Sequence, residues 1–198
     1  MAAKRRAETM EENRAKLIAA ARTAFAEKGF AAASMDELTA SVGLTRGALY
    51  HNFGDKKGLL AAVVAQVDGE MAQQAKAAAS GVSDAWEKLV AEGIAYIRMA
   101  MDAEVQRIVL RDGPAFLGDP SQWPSQNSCL EATRETITRL IDSGIMKPVN
   151  ADAAAHLLNS AALNAALWVA SSSEPEKALP KMIDVFTQLA GGLRHSAI

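Results

Sequence analysis

The chain has 198 residues, 49% of them hydrophobic and 22% charged, which is the balance of an ordinary globular protein able to bury its own core. One cysteine, Cys129, excludes an internal disulfide and argues against a cysteine metal site, as in a reducing cytoplasm. The net charge of −2 is uneven: residues 1–60 hold ten Lys/Arg against seven Asp/Glu, or +3, and the remainder carries −5. A basic N-terminal part on an acidic body suits a nucleic-acid reader joined to a unit that must not bind nucleic acid. The opening MAAKRRAETMEENRAK lacks the apolar core of a signal peptide, and no apolar run reaches the ~18 residues that suggest a membrane span. The expectation is a cytoplasmic protein without a membrane partner.

In chain order, a tail over residues 1–12 is expected to be flexible. Lys4, Arg5 and Arg6 then form either a solvated tail or a minor-groove arm. Helix 1 is predicted over Arg14 to Lys28, because Leu17, Ile18, Ala21, Ala24 and Phe25 recur at three- and four-residue steps. Gly29 suits a left-handed stop. Ser34-Met35-Asp36-Glu37 reads as a capping box opening helix 2, with Met35, Leu38 and Val42 inward. Gly43 ends that helix, Leu44 plugs the core, and Thr45 caps helix 3 over Arg46 to Phe53. Leu49 and Phe53 face inward, which leaves Arg46, Gly47, Ala48, Tyr50 and His51 outward.

Asp55 is expected to cap a long helix 4 over Lys56 to Ala78. Helix 5 follows over Ala85–Met101 and helix 6 over Ala103–Asp112, stopping near Gly113-Pro114. Pro114, Pro120 and Pro124 mark a broken connection. Helix 7 is expected over Ser128–Ser143, helix 8 over Ala153–Ser171 with Asp152 as cap, and helix 9 over Glu176–Leu193 with an adjustment at Pro180. The pattern is all-α, about nine helices, with no convincing strand. The expected division is a helix-turn-helix domain over 1–55 and a helical body over 56–198.

Two short helices meeting at a glycine, the second with small and polar residues outward, form a DNA reader. Tyr50 and His51 suit phosphate donation. Lys56 opens a helix whose free N–H groups favour an anion, and Ser34 and Thr45 are caps that can also touch phosphate. The Arg46 fork matches guanine O6 and N7 and serves phosphate equally well. Gly47 and Ala48 let the helix sit close to the groove, and Ala48 or the Thr45 methyl suits a thymine methyl. His51 has no second ligand at helical spacing, so no metal is expected. Three scattered histidines and Cys129 make no catalytic motif. An enzyme and a helical scaffold contacting protein stand as rival readings.

The stretches LIAAARTAFAEKGF (Leu17–Phe30), SMDELTASVGL (Ser34–Leu44) and TRGALYHNFGDKKGLL (Thr45–Leu60) resemble the DNA-binding domain of the TetR family of transcription regulators. RIVLRDGPAFLG (Arg107–Gly118) is similar to a segment in the C-terminal domain of one TetR-type subgroup. The resemblance implies a homodimer on double-stranded DNA, a recognition helix at Thr45–Phe53, and a C-terminal domain that binds a small effector. It implies a ligand-responsive regulator, a repressor by preference, on a palindromic operator, with no cofactor. One departure is Asn52, where the family often carries His or Tyr; an altered phosphate contact is expected there. For the effector pocket the candidates are Trp86, Ile97, Met101, Phe116, Trp123, Asn164 and Trp168, each of which also suits plain core. Arg98, Arg107 and Asp112 are candidates to orient a polar effector, or surface ion pairs. For the dimer surface they are Leu157, Ala161, Ala165, Phe186 and Leu189, in a four-helix bundle across a two-fold axis.

Overall fold

A computed structural model describes residues 2–195. Helix α1 runs Ala2–Lys28, beginning well before the expected start at Arg14. The expected tail is helical over the described residues, because Ala, Lys, Arg, Glu and Met here are helix formers with no Gly or Pro to interrupt them. Leu17, Ala21 and Phe25 form its fully buried stripe. Gly29, at φ 77°, ends it and turns Phe30 back until the two Phe rings lie 5.6 Å apart.

Helix α2, Met35–Ser41, opens where the Glu37 N–H donates to Ser34 Oγ at 3.4 Å. The reciprocal half of the expected capping box is missing. The Glu37 carboxylate accepts instead from Lys28 Nζ at 2.8 Å, a longer-reaching cationic donor from the end of α1. Gly43, at φ 67°, makes the turn, and α3, Arg46–Phe53, starts with the Ala48 N–H donating to Thr45 Oγ1 at 3.2 Å. Helix α4, Lys56–Ala78, is capped by Asp55, whose Oδ1 accepts from the Gly58 N–H at 2.7 Å.

Between α3 and α4 the backbone closes tightly over Gly58. A Cβ there would sit 1.9 Å from the Phe53 carbonyl oxygen, a backbone atom that cannot step aside. Gly58→Ala is therefore expected to destabilise the protein by about 1–3 kcal/mol, through strain rather than lost contacts. Urea unfolding would show a lower midpoint at unchanged slope.

The body follows as α5 (Ala85–Arg98), a 3-10 turn (Met99–Met101), α6 (Ala103–Val105), a π-helical stretch (Gln106–Asp112) and α7 (Gly113–Leu117). After a second 3-10 turn at Pro120–Gln122 come α8 (Pro124–Asp142), α9 (Ala151–Ser171) and α10 (Pro175–Gly191). Counting the unbroken run 103–117 as one, the described residues form nine helices and no named strand. Helix 5 thus stops short of its expected end. The expected halt at Gly113-Pro114 does not occur, because Pro114 falls in the first turn of α7, where a missing N–H costs nothing. The same tolerance starts α8 at Pro124 rather than Ser128, and α10 at Pro175. Asn150, not Asp152, caps α9: its Oδ1 accepts from the Ala153 N–H at 2.9 Å, and Asp152 lies in the first turn, 3.7 Å from Arg134.

Helix α9 is long and apolar enough on average to cross a membrane by length and composition, although His156, Asn159, Ser160 and Asn164 interrupt its apolar run, as the sequence expectation of no unbroken run requires. Its alanine content raises the average, and its Ala155, Ala166 and Val169 face is fully buried against the other body helices.

The core is continuous across the two halves. Phe25 and Phe30 of the N-terminal part share one cluster with Val105, Ile108 and Val109 of the 103–117 run and with Leu59, Val63 and Val67 of α4. The Phe30 and Phe116 rings stand 4.4 Å apart. A second cluster joins Trp86, Ile137, Leu140 and Met146 farther along the body.

Candidate nucleic-acid interface and effector cavity

Three side-chain caps fix the reader: Ser34 on α2, Thr45 on α3 and Asp55 on α4. From the buried Leu49, α3 turns Thr45, Arg46, Gly47, Tyr50 and His51 to the outside, with Ala48 at the margin. Tyr50 is 46% exposed, a large aromatic residue left facing outward. The Arg46 guanidinium lies 6.0 Å over that ring and its Nε is 3.4 Å from Asp36 Oδ1. Both groups are exposed, so the pair is a weak, screened one that a stronger anion can displace.

Two expectations need correction. The Asn52 amide donates to the Ala48 carbonyl at 2.7 Å and so is spent on its own helix instead of facing a phosphate. Lys56 is partly withdrawn: its ammonium sits 4.6 Å over the Phe30 ring and donates to the Ala31 carbonyl at 3.3 Å, and desolvation pulls its pKa down. Its neighbour Lys57, which sequence reasoning passed over, is exposed beside the same helix start. Arg14 was also missed. It covers the Phe53 ring at 4.7 Å and donates to the Asn52 carbonyl, holding the end of α3.

The reader is tied to the body through charge. Arg22 of α1 grips Glu104 with two parallel bonds, at 2.8 and 2.7 Å, and reaches Glu70 of α4 at 2.9 Å. Its carboxylate partners raise its already high pKa. Arg107 donates to the Lys28 carbonyl at 3.2 Å, and Asp112 accepts from the Phe30 N–H at 2.7 Å. Arg107 and Asp112, considered as effector contacts, instead fasten the turn after α1. Exposed Arg98 lies outside the cavity lining.

A cavity of about 840 Å³ opens among α4, α5, α8, α9 and α10. Leu89, Val90, Leu140, Leu158, Ala162 and Phe186 supply apolar wall. Lys76, Lys88, Glu92, Glu135 and Arg139 bring mixed charge, and Glu92 is pushed up in pKa by burial against the pull of Lys76 and Lys88. At one end lie Tyr96, Gln126 and Cys129, with Thr133 donating to Asn159 Oδ1 at 3.1 Å nearby.

None of the seven pocket residues expected from the sequence lines this cavity. Trp86 and Ile97 are core, fixed by their helical stripe. Met101 is exposed on a 3-10 turn, and Phe116 packs on Phe30. Trp123 is buried against Gly113, where a Cβ would meet its ring at 2.6 Å. Asn164 donates to the Ser160 carbonyl of its own helix, and Trp168 is exposed; both are on the outward stripe of α9.

That stripe runs Leu157, Ala161, Asn164, Trp168, at helical spacing. Leu157 is 71% exposed and Trp168 51%, and Leu189 of α10 is 62% exposed beside Val185 at 50%. Two of the expected dimer residues are elsewhere. Ala165 and Phe186 are buried within the protomer, Ala165 in a cluster with Ile97, and Phe186 where a Cβ on Gly93 would meet its ring at 2.5 Å.

Behind the cavity's polar end is Asp68 of α4, fully buried. Gln126 Nε2 donates to both its oxygens, at 3.1 and 3.0 Å, and Tyr96 Oη lies at 3.5 Å. Burial drives the Asp68 pKa up, partly offset by Ser125, Gln126 and Tyr96. Burial also holds the Tyr96 phenol and the Cys129 thiol above their ordinary values. Asp68 was legible as an acid on the same helical face of α4 as Val64, Met71 and Ala75, whereas Glu70 lies off that face.

An acid with a raised folded-state pKa resists ionising in the fold. Its penalty is absent below the ordinary carboxylate range and complete above the raised value. Asp68→Asn is therefore expected to raise Tm at pH 7, by about 2–4 °C for each kcal/mol relieved. The gain should vanish as pH falls into the ordinary carboxylate range. Thermal scans across pH 3–8 check it.

An exposed second helix of a helix-turn-helix, on a helical body with a large internal cavity, defines a DNA-binding regulator with a sensor unit. The chain belongs to the TetR family: residues 17–63 match "Bacterial regulatory proteins, tetR family" and residues 86–193 match "Tetracyclin repressor-like, C-terminal domain". It is similar to a TetR-family transcriptional regulator from Pectobacterium atrosepticum, at 43% identity and TM-score 0.87 over 96% of this chain and 98% of that one. It is 29% identical to the HTH-type transcriptional repressor AcnR of Corynebacterium glutamicum over 68% of this chain and 69% of that protein. The structure of RolR in complex with resorcinol shares the fold, at 18% identity and TM-score 0.70 over 96% and 98% of the two chains. The protein is thus a DNA-binding transcription regulator.

Proposed function

We propose that this regulator is a homodimeric repressor that leaves a palindromic operator when a small molecule fills the cavity. The observation that carries the reading is the α3 face: Thr45, Arg46, Gly47, Tyr50 and His51 are all outward on a helix whose start is capped and whose far end is held by Arg14. Arg46 reads a guanine edge, and Tyr50, His51, Thr45, Ser34 and Lys57 contact phosphate, with Ala48 against a thymine methyl. Lys56 adds charge from behind. The α9 and α10 stripes supply an apolar self-complementary surface, and AcnR carries the name of a repressor. RolR holding resorcinol within the same fold supports a small-molecule sensor. Its setting is the cytoplasm, its partners are double-stranded DNA, a second copy of itself and the effector, and it turns over no substrate.

Helix α4 carries the signal. Its start abuts α3 and its C-terminal part, through Ala72, Ala75 and Lys76, lines the cavity, while Arg22 bridges it to α1 and Glu104. An effector that prefers another tilt of α4 changes the separation of the two recognition helices. A coupling of about 1–3 kcal/mol changes operator affinity about 5- to 150-fold.

The test is equilibrium binding to the DNA upstream of the protein's own gene, titrated with salt. The reading expects sequence-selective binding with log K falling steeply against log salt. Weak binding, equal on scrambled DNA at every salt, would count against it.

A further inference from the structure

The polar end of the cavity is built around a carboxyl group that contributes no donor. Asp68 is fully buried and, among the described residues, has no ion-pair partner; of the cations in the lining, Lys76 and Lys88 act on Glu92, and Lys76 also acts on Cys129. A carboxylate has only acceptor lone pairs, so whatever touches it must donate. Gln126 meets that demand with its Nε2, bonded at 3.1 and 3.0 Å to the two oxygens. The amide is thereby oriented: Oε1 becomes its other end, and no donor among the described residues is bonded to it. Tyr96 points its hydroxyl at Asp68 Oδ1 over 3.5 Å, and its phenol oxygen also interacts with the Gln126 side chain, so the free acceptor at this end is Gln126 Oε1. Both Gln126 and Tyr96 line the cavity.

We infer that the effector read by this cavity has an apolar body and a hydrogen-bond-donor head, a protonated amine ahead of a hydroxyl, seated against Gln126 and Tyr96 in front of Asp68. The inference rests on the cavity being the effector site. An ammonium satisfies the exposed acceptors and supplies the positive charge that buried Asp68 lacks. A hydroxyl satisfies the acceptors alone. A carboxylate head meets lone pairs with lone pairs and adds a further negative group beside buried Asp68. Leu89, Val90, Leu158 and Phe186 accept the body. The site is carried on α4 through Asp68, so a head that draws on this network acts directly on the helix that joins cavity and reader. Asp68, Gln126 and Tyr96 are positioning and recognition residues; no chemistry is required of them.

The experiment compares three probes with one body: p-butylbenzylamine, p-butylbenzyl alcohol and p-butylbenzoate. Their binding to the full-length protein is measured by calorimetry at pH 7, with wild type, Asp68→Asn, Gln126→Leu, and two filled-cavity variants, Ala162→Trp and Ala72→Trp. The expected ranking is amine over alcohol over carboxylate, with about tenfold or more between amine and carboxylate, the effect of roughly one charge-assisted hydrogen bond. Asp68→Asn should erase the preference for amine over alcohol, and Gln126→Leu should weaken both. A carboxylate that binds as well as the amine, drawn to Lys88 or Arg139, overturns the inference, as does a ranking that Asp68→Asn leaves unchanged. Binding that disappears in a folded filled-cavity variant but ranks differently keeps the cavity as the effector site and removes only the donor-head reading. Binding that neither folded filled-cavity variant affects, or none of any probe to wild type, removes both.

Discussion

Arg46→Ala is expected to weaken binding to the cognate operator by about 30- to 10,000-fold. A bidentate contact from an arginine fork to guanine is worth about 1–3 kcal/mol, and a two-fold symmetric dimer loses it at both half-sites. The variant should fold as well as wild type, because the Arg46 guanidinium is exposed and its pairing with Asp36, at 3.4 Å, is a screened surface contact. It should also lose discrimination at one base pair in each half-site. Tyr50→Ala should behave differently: a phosphate contact positions the protein without reading sequence, so its loss weakens cognate and altered operators alike. Competition binding against single-base operator variants separates the two. If Arg46→Ala weakens every sequence equally, Arg46 serves phosphate and the base reader is elsewhere on α3.

The second large effect is expected at the α9 and α10 surface. Leu157→Glu combined with Leu189→Glu should convert the protein to a monomer at micromolar concentration. Both side chains are more than half exposed in the single chain, so the change leaves the protomer core untouched. In a symmetric interface each carboxylate is buried twice, without a partner, at a cost of several kcal/mol. A monomer keeps one half-site only, and operator affinity should fall by orders of magnitude. Sedimentation together with thermal unfolding checks both halves of the expectation: monomer mass with a cooperative unfolding transition whose Tm no longer depends on protein concentration. A double variant that sediments as a dimer would place the interface elsewhere.

The reader was legible because its signals are local. Ser34, Thr45 and Asp55 act within three residues of themselves, and Gly43 and Gly54 have positive φ as their turns demand. The bounds of α3 and α4 therefore follow from sequence alone. The body carries weaker punctuation. Pro114 and Pro124 read as breaks, yet each falls in the first turn of a helix, where proline is harmless. The cavity was not legible, and for a specific reason. Large aromatic side chains drew attention, but large side chains fill space: Trp86 and Trp123 are core. The space is left where residues are small or middling, such as Ala72, Ala75, Ala132 and Ala162. The same reasoning explains Phe186, whose ring occupies the room that Gly93 leaves open and so faces inward instead of toward a second copy. Arg107 and Asp112 reach back across about eighty residues to the turn after α1, a partnership that no local pattern announces.

The most direct measurement is selection of bound sequences from random double-stranded DNA by the purified full-length protein. The expected result is enrichment of a palindrome whose half-site centres are about 34–36 Å apart or near a multiple of one helical turn, with a guanine in each half-site whose importance disappears in Arg46→Ala. Recovery of unenriched DNA by the wild type, or of a motif without two-fold symmetry, would contradict it.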